Sequence, residues 1–507
     1  MAPDTEASTQ AQAQVNLLKD PHIKFVRVTW VDLVNFVRYR VVPIAHFRKL
    51  FADAASQSSS PSSSSSSVSN EARVKGKDGA IFNPHPGITI ARVTLGLVYL
   101  AMADGFSATG EYVYTPDLTS ARLLPYAPGH ANVFGWFEEK QIEADDMKAK
   151  ANENVFEVSL CPRTVLRRIV RDAFKAEKVS FLVGFETEVI FLSSIDPLVA
   201  TNEYGWSESP AICAGTPEAR ALEEIAEALE EAGIELQMYH AEAAPGQYEI
   251  VTGPLPPLEA CDALITTREI IMNVASKHGM RATLAPRVYD NSCGSAAHAH
   301  ISLTSTSTFW SSTEPQPVRV SSPPSVSLTP LEQSFLSGLL AHLPAATAFT
   351  LPTRASYARM TDGVWSGGTW ASWGRDNRET PVRLAGRGPS YNFEIKSIDG
   401  TSNPYLAISA LLSAGLAGIS ARTKLTSVGL HVPANTLTNA ERKEFGVENR
   451  MPLSIDEARK ALAEDEVMKK TLGEELVRTY LNVNKTLDEQ LKTPTPEEEM
   501  IKLIQTF

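Results

Sequence analysis

Cysteine is scarce in this sequence, and its pattern excludes two architectures. Four cysteines (Cys161, Cys213, Cys261, Cys293) stand 52, 48 and 32 residues apart in 507 residues. No CxxC pair occurs, so neither a disulfide framework nor a zinc knuckle is indicated, and buried free thiols in a reducing, cytoplasmic compartment are expected. The opening residues, MAPDTEASTQAQAQVNLLKD, lack a basic region followed by an apolar run, so no signal peptide is expected. The most apolar stretch, Tyr405–Ile419, is rich in Ala, Ser and Gly and falls short of the ~20 residues that span a bilayer. No membrane partner is expected. Positive charge is in deficit, 47 Lys+Arg against 59 Asp+Glu for a net charge of −12, which argues against a nucleic-acid binder. No GxxxxGK[ST] loop is present, which excludes a P-loop NTPase.

What remains is a globular composition, 43% hydrophobic and 21% charged, long enough for a large core. Residues 1–20 are polar and read as a flexible tail. IKFVRVTWVDLVNFVRYRVVP has strand-like content broken at Asp32 and Asn35, which predicts a hairpin. Serine fills 11 of the 14 positions from Ser56 to Ser69; no core can be built from that, so a flexible insertion is expected. A second polar insertion is expected over Thr304–Pro330. Helical periodicity covers Thr164–Glu177, Thr216–Ala232, Leu258–His278 and Ile455–Asn482. Interspersed strands and helices predict an α+β architecture.

The informative pattern is one motif written four times. Glu186 and Glu188 sit two apart in FLVGFETEVIFL, as do Gln247 and Glu249 in GQYEIV. His298, His300 and Ser302 share that spacing in AAHAHISL, and Asn392, Glu394 and Lys396 in YNFEIK. Strand side chains alternate faces, so each set points one way. A single such strand could simply expose a polar face. Four of them suggest a concave surface lined with ligands, because buried carboxylates need partners or metal. With Glu242, the inventory is Glu186, Glu188, Glu242, Glu249, Glu394 and His298. Five carboxylates and one imidazole suit Mg²⁺ or Mn²⁺ better than zinc, and five negative charges are nearly matched by two ions.

A second constellation is basic: Arg354, Arg359, Arg375, Arg378, Arg383 and Arg387. Alone it would read as a salt-bridged loop; beside a divalent-metal site it reads as a nucleotide-phosphate clamp. Metals, arginines and no P-loop together point to phosphoryl transfer.

The chain resembles the glutamine synthetase family in its class I-type form, over roughly residues 21–507 apart from the two insertions. The resemblance is carried by eight segments in the family's order: TPDLTSARLLP, GFETEVIFL, HAEAAPGQYEI, HGMRATLAPR, GSAAHAHISL, SYARM, NRETPVRL and FEIKSIDGTSNPYLAISALLSAGL. It implies a small N-terminal β-grasp domain over 21–112, holding the 56–69 insertion, and a catalytic domain over 113–507, holding the 304–330 insertion, whose curved antiparallel sheet forms a half-barrel. It further implies a homo-oligomeric ring, dodecamer-like, with active sites between subunits. Carried over by position, one ion takes Glu188, Glu242 and Glu249 and another takes Glu186, His298 and Glu394. ATP falls to His300, Ser302, Arg378 and Arg383, and the acid substrate to Glu188, Gly294, Arg359 and Lys396. Catalytic roles fall to Arg359, Arg378 and Trp365. The family's chemistry is phosphorylation of a glutamate carboxylate by ATP, then attack of an amine on the acyl phosphate.

Departures cluster on the amine and acid pockets. The flap position that carries a Glu in the family is Trp365, which cannot serve as a base but can attract a cation through its ring face. An Arg that grips the acid is Lys396, a point charge in place of a bidentate fork, and a basic residue is Asn392. Ala355, Ala358 and Cys293 also depart from the pattern. The expectation is an ATP-dependent ligase joining glutamate or a related acid to an organic amine rather than ammonium, as in γ-glutamyl-polyamine and γ-glutamyl-alkylamide ligases. Two alternatives stand: a catalytically silent relative with a regulatory or developmental interaction role, and an ATP-guanido phosphotransferase of similar fold type.

Overall fold

The computed structural model describes residues 16–57, 81–143, 154–311, 313–388 and 390–507. Residues 1–15 of the expected tail, and 58–69 of the serine-rich insertion, lie outside the described residues. Leu18 is already buried in the core, at 6% exposure.

The predicted hairpin forms as β1 (Phe25–Val31) and β2 (Val37–Pro43), antiparallel, and helix α1 (Ile44–Gln57) follows. Its turn is held by Asp32, whose carboxylate accepts the Val34 and Phe36 amides at 3.1 and 2.9 Å and pairs with Arg38. That local capture explains why the chain reverses where β propensity drops. Arg122–Leu123 (β3) and His130–Val133 (β4) complete the sheet in the order β2-β1-β4-β3, with β1 and β4 parallel. Two hairpins joined through parallel central strands, with a helix between them in sequence, make the small N-terminal β-grasp domain. Its sheet draws strands from both sides of residue 112.

The larger part is built on a curved sheet of β6 (Leu236–Ala241), β7 (Gln247–Leu255), β5 (Val179–Ile195), β8 (Ala299–Ser305), β11 (Ser390–Ile395), β10 (Val382–Arg387) and β9 (Trp373–Arg375), in that order. All neighbours are antiparallel except β9 and β10. The sheet is a half-barrel, flanked by α2 (Pro162–Glu177), α3 (Pro217–Glu231), α4 (Pro257–Lys277), α5 (Pro330–Thr350) and α6 (Pro404–Ala421). Proline at the first turn of each helix suits a position with no intrahelical N–H partner. α6 is the apolar Tyr405–Ile419 stretch. It is long and apolar enough to cross a membrane by length and composition, yet it is buried as a core helix. Gly338 of α5 and Gly418 of α6 let the two helices meet backbone to backbone; a Cβ on either would overlap the partner.

Three expectations are corrected. The Ile455–Asn482 periodicity is three helices, Ile455–Glu464, Glu466–Leu472 and Glu474–Leu491, because Asp465 caps the second and Gly473, at φ +106°, ends it. Thr304–Pro330 is no loose insertion: Gln316–Val318 and Val326–Leu328 pair as strands, and Val326 and Leu328 enter the core. Of the thiols, only Cys161 and Cys261 are buried; Cys213 is exposed and Cys293 half-buried.

Candidate active site

Period-two alternation on four adjacent strands delivers the expected convergence. Register places Glu188 of β5 directly opposite Glu249 of β7, and His300 of β8 opposite Glu394 of β11. Edge strand β6 adds His240, also opposite Glu249. A register shift where β5 Val183–Phe185 meets β7 re-aims the strand just before Glu186, the usual effect of a bulge beside a site. Glu186, Glu188, Glu242, Glu249, Gly294, His298, His300, Ser302, Arg359, Trp365, Arg378, Arg383 and Lys396 line one cavity of about 1020 Å³. Glu394, 0% exposed, lies behind its wall.

Glu186 is shared between two imidazoles, with Oε2 2.9 Å from His298 Nδ1 and Oε1 2.9 Å from His300 Nε2. Burial pushes its carboxyl up, but these two hydrogen bonds win and hold it far below the ordinary range. Glu394 is likewise held low against burial, by Lys396, His298 and Arg383. Glu188 goes the other way, raised to about 8 by burial and by the facing Glu249 and Glu242. Its Oε2 accepts Gln247 Nε2 at 3.1 Å and the Ala296 amide at 2.9 Å. Glu242 is also raised, by burial and Glu249. His240 is raised to about 9, chiefly by its bond to Glu249.

Three sets of donor atoms lie within 4.8 Å of one another: Glu186, His298 and Glu249; Glu186, His300 and Glu394; and His240, Glu242 and Glu249. The ion sets carried over from the resemblance thus share members here, and Glu188 belongs to none of these sets among the described residues. Glu394 Oε1 is buried with no hydrogen-bond partner.

The six arginines do not act as one clamp. Arg378 and Arg383 line the cavity, and Arg383 Nε donates to Glu394. Arg359 is buried, donating Nη2 to Lys396 O at 3.0 Å and Ile398 O at 3.2 Å, with Gly294 packed so close that a Cβ would strike its side chain. Arg354 pairs with Asp488 and Arg375 with Asp376, so carboxylates outside the cavity lining absorb them. Lys396, 2% exposed, turns its ammonium to His298 Nε2 at 3.3 Å and Glu394 Oε1 at 3.5 Å. Asn392 Oδ1 accepts from His300 Nδ1, 2.8 Å away. Trp365 is 58% exposed on the loop between Thr361 and Thr369.

The sequence placed His240 near the site only through its match to a family position, with packing as an equal reading, and passed over Glu379. For His240 the signal was present: it lies two residues before Glu242, the same spacing as the other ligand pairs. Glu379 carried none, because its role is to accept backbone amides of a loop distant in sequence.

The glutamine synthetase catalytic-domain family matches residues 159–501. Protein fluG of Emericella nidulans is 33% identical over 481 residues, 93% of this chain; the chain spans about half of that relative, 47% of its length. The γ-glutamylpolyamine synthetase GlnA3 of Streptomyces coelicolor is 30% identical over 74% of this chain and 77% of its own. Among solved structures, a GmaS/ADP complex superposes with a TM-score of 0.71 at 20% identity, covering 94% of this chain and 95% of that one, a likeness of fold.

Proposed function

The chain belongs to the glutamine synthetase family, and we propose that within it the protein is an ATP- and magnesium-dependent ligase joining glutamate or a related acid to an organic amine rather than to ammonium. The observation that carries the reading is one cavity that combines the acidic set with a flap bearing Trp365. The donor set fits hard divalent ions: five carboxylates meet three imidazoles, Glu188 is raised to about 8 by burial and its acidic neighbours, and Glu394 Oε1 has no hydrogen-bond partner. Mg²⁺ or Mn²⁺, as two ions, would be held by Glu188, Glu242 and Glu249 and by Glu186, His298 and Glu394. Bound there, such ions would neutralise phosphate charge during transfer.

The remaining roles fall to the chain's own groups. Arg378, Arg383, His300 and Ser302 bind the phosphates of ATP, and Arg359, Lys396 and the Gly294 backbone orient the acid. The acid's carboxylate takes the γ-phosphoryl group, releasing ADP; the amine nitrogen then adds to the acyl carbon and phosphate leaves. Trp365 offers a ring face to an alkyl or cationic amine, where a carboxylate would attract ammonium. GlnA3, named for γ-glutamylpolyamine synthesis, and GmaS, solved with ADP, support this reading. A homo-oligomeric ring goes with it, and light scattering checks that part.

The test is ADP release by the purified protein with Mg²⁺ and ATP. Glutamate and related acids are screened against ammonium, alkylamines, ethanolamine and polyamines, with products identified by mass. Amide formation with an organic amine and little with ammonium is expected. Failure to bind ATP or form any amide would sink the ligase reading.

A further inference from the structure

The loop from Thr361 to Thr369 lines the cavity with Val364, Trp365 and Ser366. It is braced from within: Asp362 accepts the Thr369 amide at 3.0 Å and its hydroxyl at 2.9 Å, and the Ser366 hydroxyl donates to Thr361 O at 2.7 Å. Those bonds shape the loop without fixing it over the cavity. The tether is Glu379, buried at 8% exposure. One of its carboxylate oxygens accepts the Gly363 amide at 3.0 Å and the other accepts the Trp365 amide. Trp365 sits at φ +59°, the left-handed region a bulky residue avoids unless its surroundings hold it there.

Glu379 is itself anchored. Its amide donates to Asn377 Oδ1 at 2.9 Å, and Asn377 Nδ2 donates to Leu430 O at 3.0 Å and Val432 O at 3.2 Å. Between Asn377 and Glu379 stands Arg378, which lines the cavity. A carboxylate only accepts, and this one uses both oxygens on two amides of one loop.

We infer that Glu379 is a positioning residue: it clamps the Trp365 loop over the acceptor end of the cavity and joins that loop, through one peptide unit, to the phosphate-facing Arg378. The inference rests on the ligase reading for its kinetic consequence, not for the clamp itself. With the clamp intact, the activated acid meets the amine. With it released, water adds to the acyl carbon, phosphate leaves and the acid is regenerated, so ATP is consumed without amide.

Glu379→Gln keeps the size but replaces one acceptor with a donor facing an amide N–H. Hydrogen exchange of peptides covering 361–369, with 390–396 as an internal reference, is measured alongside ADP and amide yields. Expected are roughly tenfold faster exchange in the loop and unchanged exchange in the reference. The amine KM should rise about tenfold, with the ATP KM within about twofold and ADP per amide above one. Unchanged loop exchange overturns the clamp. A lower kcat with both KM values and the ADP-to-amide ratio unchanged overturns the positioning role. If the unmodified protein forms no amide, the ligase reading falls and the exchange measurement alone decides the clamp.

Discussion

His240 Nε2 lies 3.1 Å from Glu249 Oε1, placing an imidazole from the edge strand directly against a carboxylate of the acidic centre. Its raised affinity for a proton, up to about 9, makes it one of the few positive counter-charges on that side of the cavity. Glu188 also holds its own proton, but for a different reason: burial and the facing Glu249 and Glu242 raise it to about 8.

Both shifts give one sign of pH dependence for protein stripped of divalent ions. Each group binds its proton more tightly folded than unfolded, so its contribution is full below the unfolded value and is lost as pH rises through the folded one. Thermal stability in chelator should therefore fall from pH 6.5 to 9. His240→Gln with Glu188→Gln should flatten the profile. Scanning fluorimetry across that range checks it, and a rising profile would contradict the assignment.

Divalent-ion binding should show the complementary trend. A cation favours the ionised Glu188, so affinity for Mn²⁺ should increase as pH rises towards 8, with proton release on binding. Glu188→Gln should abolish that release and weaken binding at least ~10–100-fold, the loss that follows removal of even an outer partner. Calorimetry in buffers of different ionisation heat measures both.

Restoring a carboxylate on the flap should move the choice of amine. Trp365→Glu is expected to shift the ratio of kcat/KM values towards ammonium by about 10–100-fold, the discrimination that a small pocket change supports. Competition between ammonium and an alkylamine, read by product mass, reports the ratio.

Arg163 is a separate, purely structural test. It is buried, bonding Asp262 through two nitrogens at 3.0 and 2.8 Å and Asp117 at 2.8 Å. Arg163→Met leaves both carboxylates without this counter-charge and should cost about 3–5 kcal/mol. Chemical denaturation should show the loss, and a neutral result would mean that water replaces the guanidinium.

The hairpin at Asp32, the ligand strands and the main helices were legible because each rests on a local rule: alternation, 3.6-residue spacing or turn chemistry. The convergence of Glu186, Glu188, Glu249 and His298 was legible for the same reason, since period two fixes which side chains share a face. What was not legible depended on partners distant in sequence. Arg354 reads like Arg378 until Asp488 is placed beside it. The inward turn of Lys396 towards His298, and the grip of Glu379 on Trp365, follow from packing that no spacing encodes. The long C-terminal periodicity hid two breaks because Asp465 and Gly473 act through caps and backbone angle, not hydropathy.

The direct pairing of Glu188 with Glu249 limits how this architecture can change over generations. Inserting or deleting a single residue within β5 or β7 would swing every later donor to the convex side and disarm the centre at one stroke. Replacing one side chain leaves the neighbours aimed as before. Drift in substrate preference can therefore accumulate by point exchange, as at Trp365 and Lys396, while changes of length are confined to the connections between strands.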